Sequence, residues 1–276
     1  MKISLFSKQA ALNSGPVMTA FVNGCRLQGW EVVEDSLDAD AAVIWSVLWA
    51  GRMRQNQIVY NHYRSQNKPV FVIEVGNLRR GVTWRVALNN VNRNGIFGEG
   101  DLDHLRPAKL GVSLDPYAPG SDILIACQRW DSLQWQGQSP NWLEQTVKKI
   151  RENTDRPIVV RPHPRYPISI KMDGVTVEQP IQISGTYDEF DLDYKKFHCV
   201  INHNSGPSVQ AAIHGVNTIC DTSSLAWPVS IGYKEIESPP IKDRTEWFLN
   251  LCHTEYLVEE INQGLPLKRL QKVLFS

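Results

Sequence analysis

Two arginines and an imidazole stand within five residues, Arg161-Pro162-His163-Pro164-Arg165, directly after the apolar run Pro157-Ile158-Val159-Val160. The run is short and β-branched and reads as a buried strand. The prolines cannot continue a ladder, so the strand ends while three donors are presented at its carboxyl end. Open α/β sheets bind ligands at that end of their strands. Three groups able to donate to phosphate oxygens there point to an anion. Taken alone, a proline-rich exit loop with incidental charge is the plainer reading.

A second constellation follows some forty residues on. His198-Cys199-Val200-Ile201-Asn202 is strand-like and leads into His203-Asn204-Ser205-Gly206-Pro207-Ser208; residues 209–214 are helix-compatible, Gly215 is a natural stop, and residues 217–221 resume an apolar strand. Ser205 or Gly206 can cap the helix, and Pro207 fits a first turn, where a missing N–H costs nothing. Backbone N–H groups and serine hydroxyls at a helix N-terminus make an anion site. An ordinary capped helix in a βαβ unit would look the same, but two such strand ends in one half of a chain favour a site.

Together these motifs resemble the nucleotide-sugar half of a GT-B glycosyltransferase, in particular the group with an Arg-Pro-His-Pro element found in capsule- and teichoic-acid-type transferases. There the later motif is a Ser/Thr-rich turn, a helix bearing Glu-Ala, then Gly and a small residue or Pro. Here it is Ser205 to Ser208, Gln210-Ala211 and Gly215-Val216. Gln210 stands where such proteins usually carry a ribose-binding glutamate, and an amide bonds a hydroxyl more weakly than a carboxylate does. The resemblance implies a nucleotide-sugar, such as a UDP-sugar, as substrate, with no resident cofactor. Arg161 and His163 would meet the diphosphate from one side, and Asn204, Ser205, Gly206 and Ser208 from the helix N-terminus. Gln210 would lie near the ribose, with Arg129, Arg165 and His203 completing the donor set. More weakly, Val70 to Arg80, Trp84-Arg85-Val86 and the tail residues Trp247, Glu259-Glu260-Ile261 and Gly264 are similar to stretches in bacteriophage proteins placed near glycosyltransferases.

The elements that must position these groups alternate. Strands are expected over residues 2–6, 30–33, 41–45, 69–75, 122–127 and 157–160, and helices from the turn Asn13-Ser14-Gly15-Pro16 to about Gln28, over 52–66 and over 141–152. Alternation implies a mostly parallel, doubly wound sheet. Residues 89–119 are rich in Asn, Gly, Asp and Pro and read as loops and a boundary. The expectation is an α/β chain of two Rossmann-like, GT-B-like domains facing across a cleft: an acceptor domain over 1–115, a nucleotide-sugar domain over 116–250, and a helical segment over 251–276 that crosses back. Residues 246–274 look helical.

Composition is compatible with this and excludes little else. The 276 residues suffice for two moderate cores, and 29 basic residues balance 29 acidic ones. No apolar run approaches a membrane span, and Met1 to Phe6 reads as a first strand rather than a signal peptide. Cys25, Cys127, Cys199, Cys220 and Cys252 are scattered, which argues for a reducing cytoplasm (a host's, if the protein is phage-encoded) and against zinc.

Charge is uneven, however. Between residues 52 and 93 stand Arg52, Arg54, Arg64, Lys68, Arg79, Arg80, Arg85 and Arg93 against Glu74 alone, interleaved by Trp49, Tyr60, Tyr63 and Trp84. Basic groups with aromatics suit a nucleic-acid backbone and an unstacked base; a solvated helix face with core tryptophans is the plainer alternative. On the first reading, Gly15, Arg52, Arg54, Arg79, Arg80, Trp84 and Arg85 contact double-stranded DNA carrying modified bases. Glu74, at a carboxyl strand end, is the expected general base, with Asp40 and Asp101 as competitors. Asp101-Leu102-Asp103 and Asp191-Leu192-Asp193 match a metal-binding triplet but read as solvated loops, so no metal site is expected. The expected activity is a metal-independent hexosyl- or pentosyltransferase acting on hydroxymethylpyrimidine in phage DNA. A surface polysaccharide or other small acceptor is the alternative, and a non-catalytic nucleotide- or sugar-binding protein a further one.

Overall fold

The computed structural model describes residues 1–166, 172–180 and 192–274. Its first elements are β1 (Lys2–Leu5), α1 (Gly15–Leu27), β2 (Glu31–Glu34), β3 (Ala41–Trp45), α2 (Asn56–Ser65), β4 (Val70–Val75), β5 (Trp84–Leu88) and α3 (Arg106–Leu110). There follow β6 (Asp122–Ala126), α4 (Trp142–Arg151), β7 (Ile158–Arg161), β8 (Val175–Val177), β9 (Phe197–Ile201), α5 (Gly206–Ile213) and β10 (Asn217–Ile219). The chain closes with α6 (Thr245–Cys252), β11 (Glu255–Tyr256), α7 (Val258–Asn262) and α8 (Leu265–Leu274). Local chemistry explains the clearest of these. Pro16 opens α1, whose inner face carries Val17, Met18, Ala20, Phe21, Gly24 and Cys25 at helical spacing. All five residues of β3 are buried, as a strand covered on both faces requires.

Two bodies result. The first comprises Met1–Val112, Asp131–Leu133 and Leu249–Ser276, and the second Ser113–Trp130 and Gln134–Phe248. The first body holds a six-stranded sheet in the order β11-β5-β4-β3-β1-β2, and the second a five-stranded sheet in the order β10-β9-β6-β7-β8. Every pair in the second sheet is parallel. In the first, β5 runs antiparallel to both β4 and β11. That edge departs from the alternation, because the link from β4 to β5 is too short to hold a crossover helix and can only turn back. Ile44, Val70, Val72, Tyr63 and Ala87 fill one core of the first body. Ile123, Ile125, Val160, Cys199 and Ile201 fill that of the second.

The tail is not the continuous helix expected over 246–274. Its chain extends at Glu255 and Tyr256 to pair with β5, and the fully buried Glu255 carboxylate accepts from the N–H groups of Asn77 (2.5 Å) and Leu78 (3.0 Å) and from Thr83 Oγ1 (2.7 Å). Those donors outcompete one more helical turn. Arg106, in α3 within the stretch read as loop, holds the tail too: its guanidinium donates to the Glu260 carboxylate and to the carbonyls of Cys252 and Glu255. Among the described residues no helix is long and apolar enough to cross a membrane.

Candidate active site

In the second sheet β7 lies on one side of β6 and β9 on the other, so the strand order reverses at β6. The crevice outside the carboxyl ends at such a reversal is the usual ligand site of an open α/β sheet. Arg161 is the last residue of β7 rather than the first beyond it: it pairs with Ala126, and its carbonyl accepts from Cys127 N–H at 2.9 Å before Pro162 ends the strand. Its side chain is buried. The next residues close a tight turn, in which Tyr166 N–H donates to the His163 carbonyl (2.8 Å) and Arg165 N–H to His163 Nδ1 (3.1 Å). From the exit of β6, Arg129 sets its guanidinium 5.2 Å over the Tyr166 ring, and the exposed Trp130 meets the same ring edge-on at 5.4 Å.

The exit of β9 is tied to that of β6. Asn202 Nδ2 donates to the Ala126 carbonyl at 2.7 Å, and Asn202 Oδ1 accepts from Ser205 N–H at 2.6 Å. Gln128 and Asn204 pair reciprocally: Asn204 N–H donates to Gln128 Oε1 and Gln128 Nε2 to Asn204 Oδ1, each at 3.0 Å. Asn204 Nδ2 donates further to the Gln134 carbonyl (3.0 Å) and Ser223 Oγ (2.9 Å). Thus Asn204, expected to meet a ligand directly, spends its amide on the frame that shapes the loop. Gln128, Gln134, Asn202 and Ser223 were not foreseen in this role; the Asn202-x-x-Ser205 spacing is the one signal that could have pointed to it. His203 is buried edge-on against Trp135 at 5.3 Å, with Nε2 3.2 Å from the Gln134 carbonyl. Burial pushes its pKa below the ordinary imidazole value, although the Asp221 carboxylate partly opposes this.

What the frame leaves to a ligand is the start of α5. Ser205 is the N-cap residue yet makes no side-chain cap bond, contrary to expectation, because its hydroxyl is taken by Asn202 Nδ2 at 2.9 Å. Gly206 and Pro207 begin the helix, and Ser208 Oγ, fully buried there, has no hydrogen-bond partner among the described residues. A buried hydroxyl without a partner is costly unless something completes it. Helix terminus and hydroxyl together suit an anion's oxygens. Gln210 is half-buried one turn on.

In the first body the carboxyl strand ends are of another kind. Glu74 lies within β4, where Oε2 accepts from Ser46 Oγ at 2.5 Å and Oε1 from Val75 N–H at 2.9 Å. Opposite it on β5 is Arg85, and opposite Arg85 on β11 is Glu255. Burial depresses the Arg85 pKa while the Glu74 and Glu255 carboxylates raise it. Neither Arg85 nor Trp84 offers itself to DNA. Arg85 donates from Nε and Nη2 to the Val75 carbonyl and from Nη1 to that of Val91, while Trp84 is buried against Trp45 at 5.5 Å. Trp49 and Tyr63 are buried as well, and Tyr60 is half-buried with its hydroxyl on the Asn89 carbonyl, so the aromatics between the arginines are core. Arg52 and Arg54 are exposed on the single turn Gly51–Gln55, as are Arg79 and Arg80 after β4, Arg79 donating to the Leu110 carbonyl. Gly15 is exposed at the start of α1.

The competing carboxylates are surface groups. Asp40 accepts from the Lys2 N–H, Asp101 is exposed, and Asp103 is held below the usual carboxylate range by Lys109 and by its own turn. The triplet at 191–193 falls partly outside the described residues, since Asp191 is not among them. Among those that are, no three His, Cys, Asp or Glu side chains are grouped to hold a metal.

No family model and no curated protein matches the sequence. Solved structures do. The beta Kdo 2,4 transferase of Thermosulfurimonas dismutans KpsC superposes with a TM-score of 0.54 at 14% identity, over 96% of this chain and 98% of that one. The beta Kdo 2,7 transferase of the same KpsC gives 0.51 at 13%, over 97% and 100%. The fold is GT-B-like. The α/β class with two Rossmann-like parts, expected from the alternation and the two motifs, is therefore borne out. A UDP-GlcNAc 2-epimerase of Methanocaldococcus jannaschii, at a TM-score of 0.36 and 12% identity over 100% of this chain and 99% of that one, is too distant to weigh. At such identities the likeness is one of fold and transfers no residue roles.

Proposed function

We propose that this chain is a glycosyltransferase that moves a sugar from a nucleotide-sugar to a hydroxyl of a glycan acceptor of the surface-polysaccharide kind. The observation that carries this reading is the strand-order reversal of the second body, where Arg161 and His163 stand on one strand exit and the α5 N-terminus, with the partnerless Ser208 hydroxyl, on another. Support for the class of acceptor is the fold shared with two Kdo transferases, which makes activated Kdo the first donor to try. In this scheme the bond from the anomeric carbon to the phosphate oxygen breaks, and its electron pair leaves with the phosphate. Arg161, His163 and the helix N-terminus stabilise that charge as it develops, and the scheme calls on no metal. Glu74 takes the acceptor hydroxyl's proton as its oxygen attacks the anomeric carbon.

A hydroxymethylpyrimidine in duplex DNA has weaker support as acceptor. The basic stretch 52–93 keeps exposed arginines, but its aromatics are interior and provide no surface on which a base could stack. The test is a panel of nucleotide-activated sugars, Kdo included, incubated with a capsule-type oligosaccharide or with hydroxymethylated duplex, and read by mass spectrometry of both acceptors. Glycosylated oligosaccharide with unmodified duplex is expected. Glycosylated duplex with unmodified oligosaccharide would restore the DNA reading, and no transfer to either would overturn the assignment.

A further inference from the structure

Four non-glycine residues among those described have left-handed backbone: Asp35 (φ 51°), Ser46 (63°), Asn67 (57°) and Asn89 (66°). Asn and Asp tolerate that conformation because their short polar side chains bond locally; serine has less claim to it. Ser46 is moreover buried, immediately after β3. Left-handed non-glycine residues tend to persist where the surroundings hold them for a purpose.

Its surroundings give the purpose. Ser46 N–H still completes the ladder, donating to the Ile73 carbonyl at 2.8 Å, and the chain then turns so that Oγ reaches Glu74 Oε2 at 2.5 Å while accepting from Leu48 N–H at 3.2 Å. Residues directly opposed in a sheet share a face. Glu255 of β11, Arg85 of β5 and Glu74 of β4 are so opposed, and Ser46 continues the row beyond the end of β3. One polar row thus crosses a sheet whose neighbouring rows are apolar, such as Ile73 opposite Val86 and Trp45. Arg85 contributes charge to the row, but its guanidinium donates to the carbonyls of Val75 and Val91. Orientation of the Glu74 carboxyl therefore falls to the serine hydroxyl on Oε2 and to the Val75 N–H on Oε1.

We propose that Ser46 is the positioning residue of the Glu74 base, its left-handed backbone serving to aim the hydroxyl that fixes Oε2 while the Val75 N–H holds Oε1. This rests on the reading of Glu74 as the base, and the test separates the two. Ser46→Ala removes the hydroxyl and keeps the left-handed demand on a residue with a Cβ; Ser46→Gly removes the hydroxyl and relieves that demand. Stability and turnover should therefore part company. The melting temperature of Ser46→Gly should exceed that of Ser46→Ala, while kcat, measured with the nucleotide-sugar that scores in the panel, falls by about 10–100-fold in both, with the donor KM within about twofold of wild type. A Ser46→Gly variant with wild-type kcat would overturn the proposal, as would a fall in kcat that merely tracks melting temperature. Glu74→Gln is the control. Should it retain wild-type kcat, the base assignment falls and this inference with it; should it lose turnover while Ser46→Gly keeps it, the role of Ser46 alone is refuted.

Discussion

The carboxyl strand ends of the two bodies are built on opposite plans. In the second body the polar side chains bond mainly to one another and to the backbone, through Gln128, Asn202 and Asn204, and what they leave over is the start of α5 and the Ser208 hydroxyl, in the same body as the cationic exit of β7. In the first body the polar side chains form a row inside the sheet, carboxylate, guanidinium, carboxylate, hydroxyl, and what they leave over is an acceptor, Glu74. One end is suited to receive negative charge and the other to receive a proton.

Breaking the row at its buried end should have the largest effect. Glu255→Ala would orphan the N–H groups of Asn77 and Leu78 and the Thr83 hydroxyl and leave Arg85 with one carboxylate fewer, which should cost about 3–5 kcal/mol of stability in chemical denaturation. Nucleotide affinity of the folded fraction should stay at the wild-type value if, as proposed, the other body binds it; a matching loss of affinity would dissolve the contrast between the two plans. A smaller effect sharpens the second plan. His203 has its pKa lowered by burial, so as pH falls below the ordinary imidazole value of about 6.5 the unfolded chain takes up a proton before the folded one does. Its contribution to stability is whole above that pH and is lost as pH falls towards the folded value. Wild-type melting temperature should consequently fall more steeply between pH 7.5 and 5.5 than that of His203→Gln. Part of the slope will remain, because burial lowers the pKa of His253 likewise. Equal slopes would mean that the His203 imidazole is not desolvated.

The same contrast governs what could be read before the structure. The cationic strand exit and the helix start of the second body were legible because their residues are contiguous: a strand, two prolines and three cationic or imidazole side chains within 161–165, then a small-residue turn and a helix within 203–214. Its frame was not, since Gln128 and Asn204 lie far apart in sequence and ordinary amides carry no signal. The row of the first body was almost invisible. Ser46, Glu74, Arg85 and Glu255 come from four separate segments, and β5 and β11 bring them into register by an antiparallel edge that the alternation did not announce. Arg85 and Trp84 misled for the same reason. A cationic residue and an aromatic in a basic stretch suggest a nucleic-acid surface until the pairing of β5 turns both inward.

The second body is proposed to bind a nucleotide's phosphates between the exit of β7 and the start of α5. Titration calorimetry of wild type and Arg161→Ala with UDP and CMP tests it most directly, with melting temperatures as the check that both are folded. Loss of a charged hydrogen bond is worth about 1.5–3 kcal/mol, so Arg161→Ala should weaken the nucleotide that wild type binds by about tenfold to 150-fold. An unchanged dissociation constant in a variant that melts with wild type, or no binding of either nucleotide by wild type itself, would contradict it.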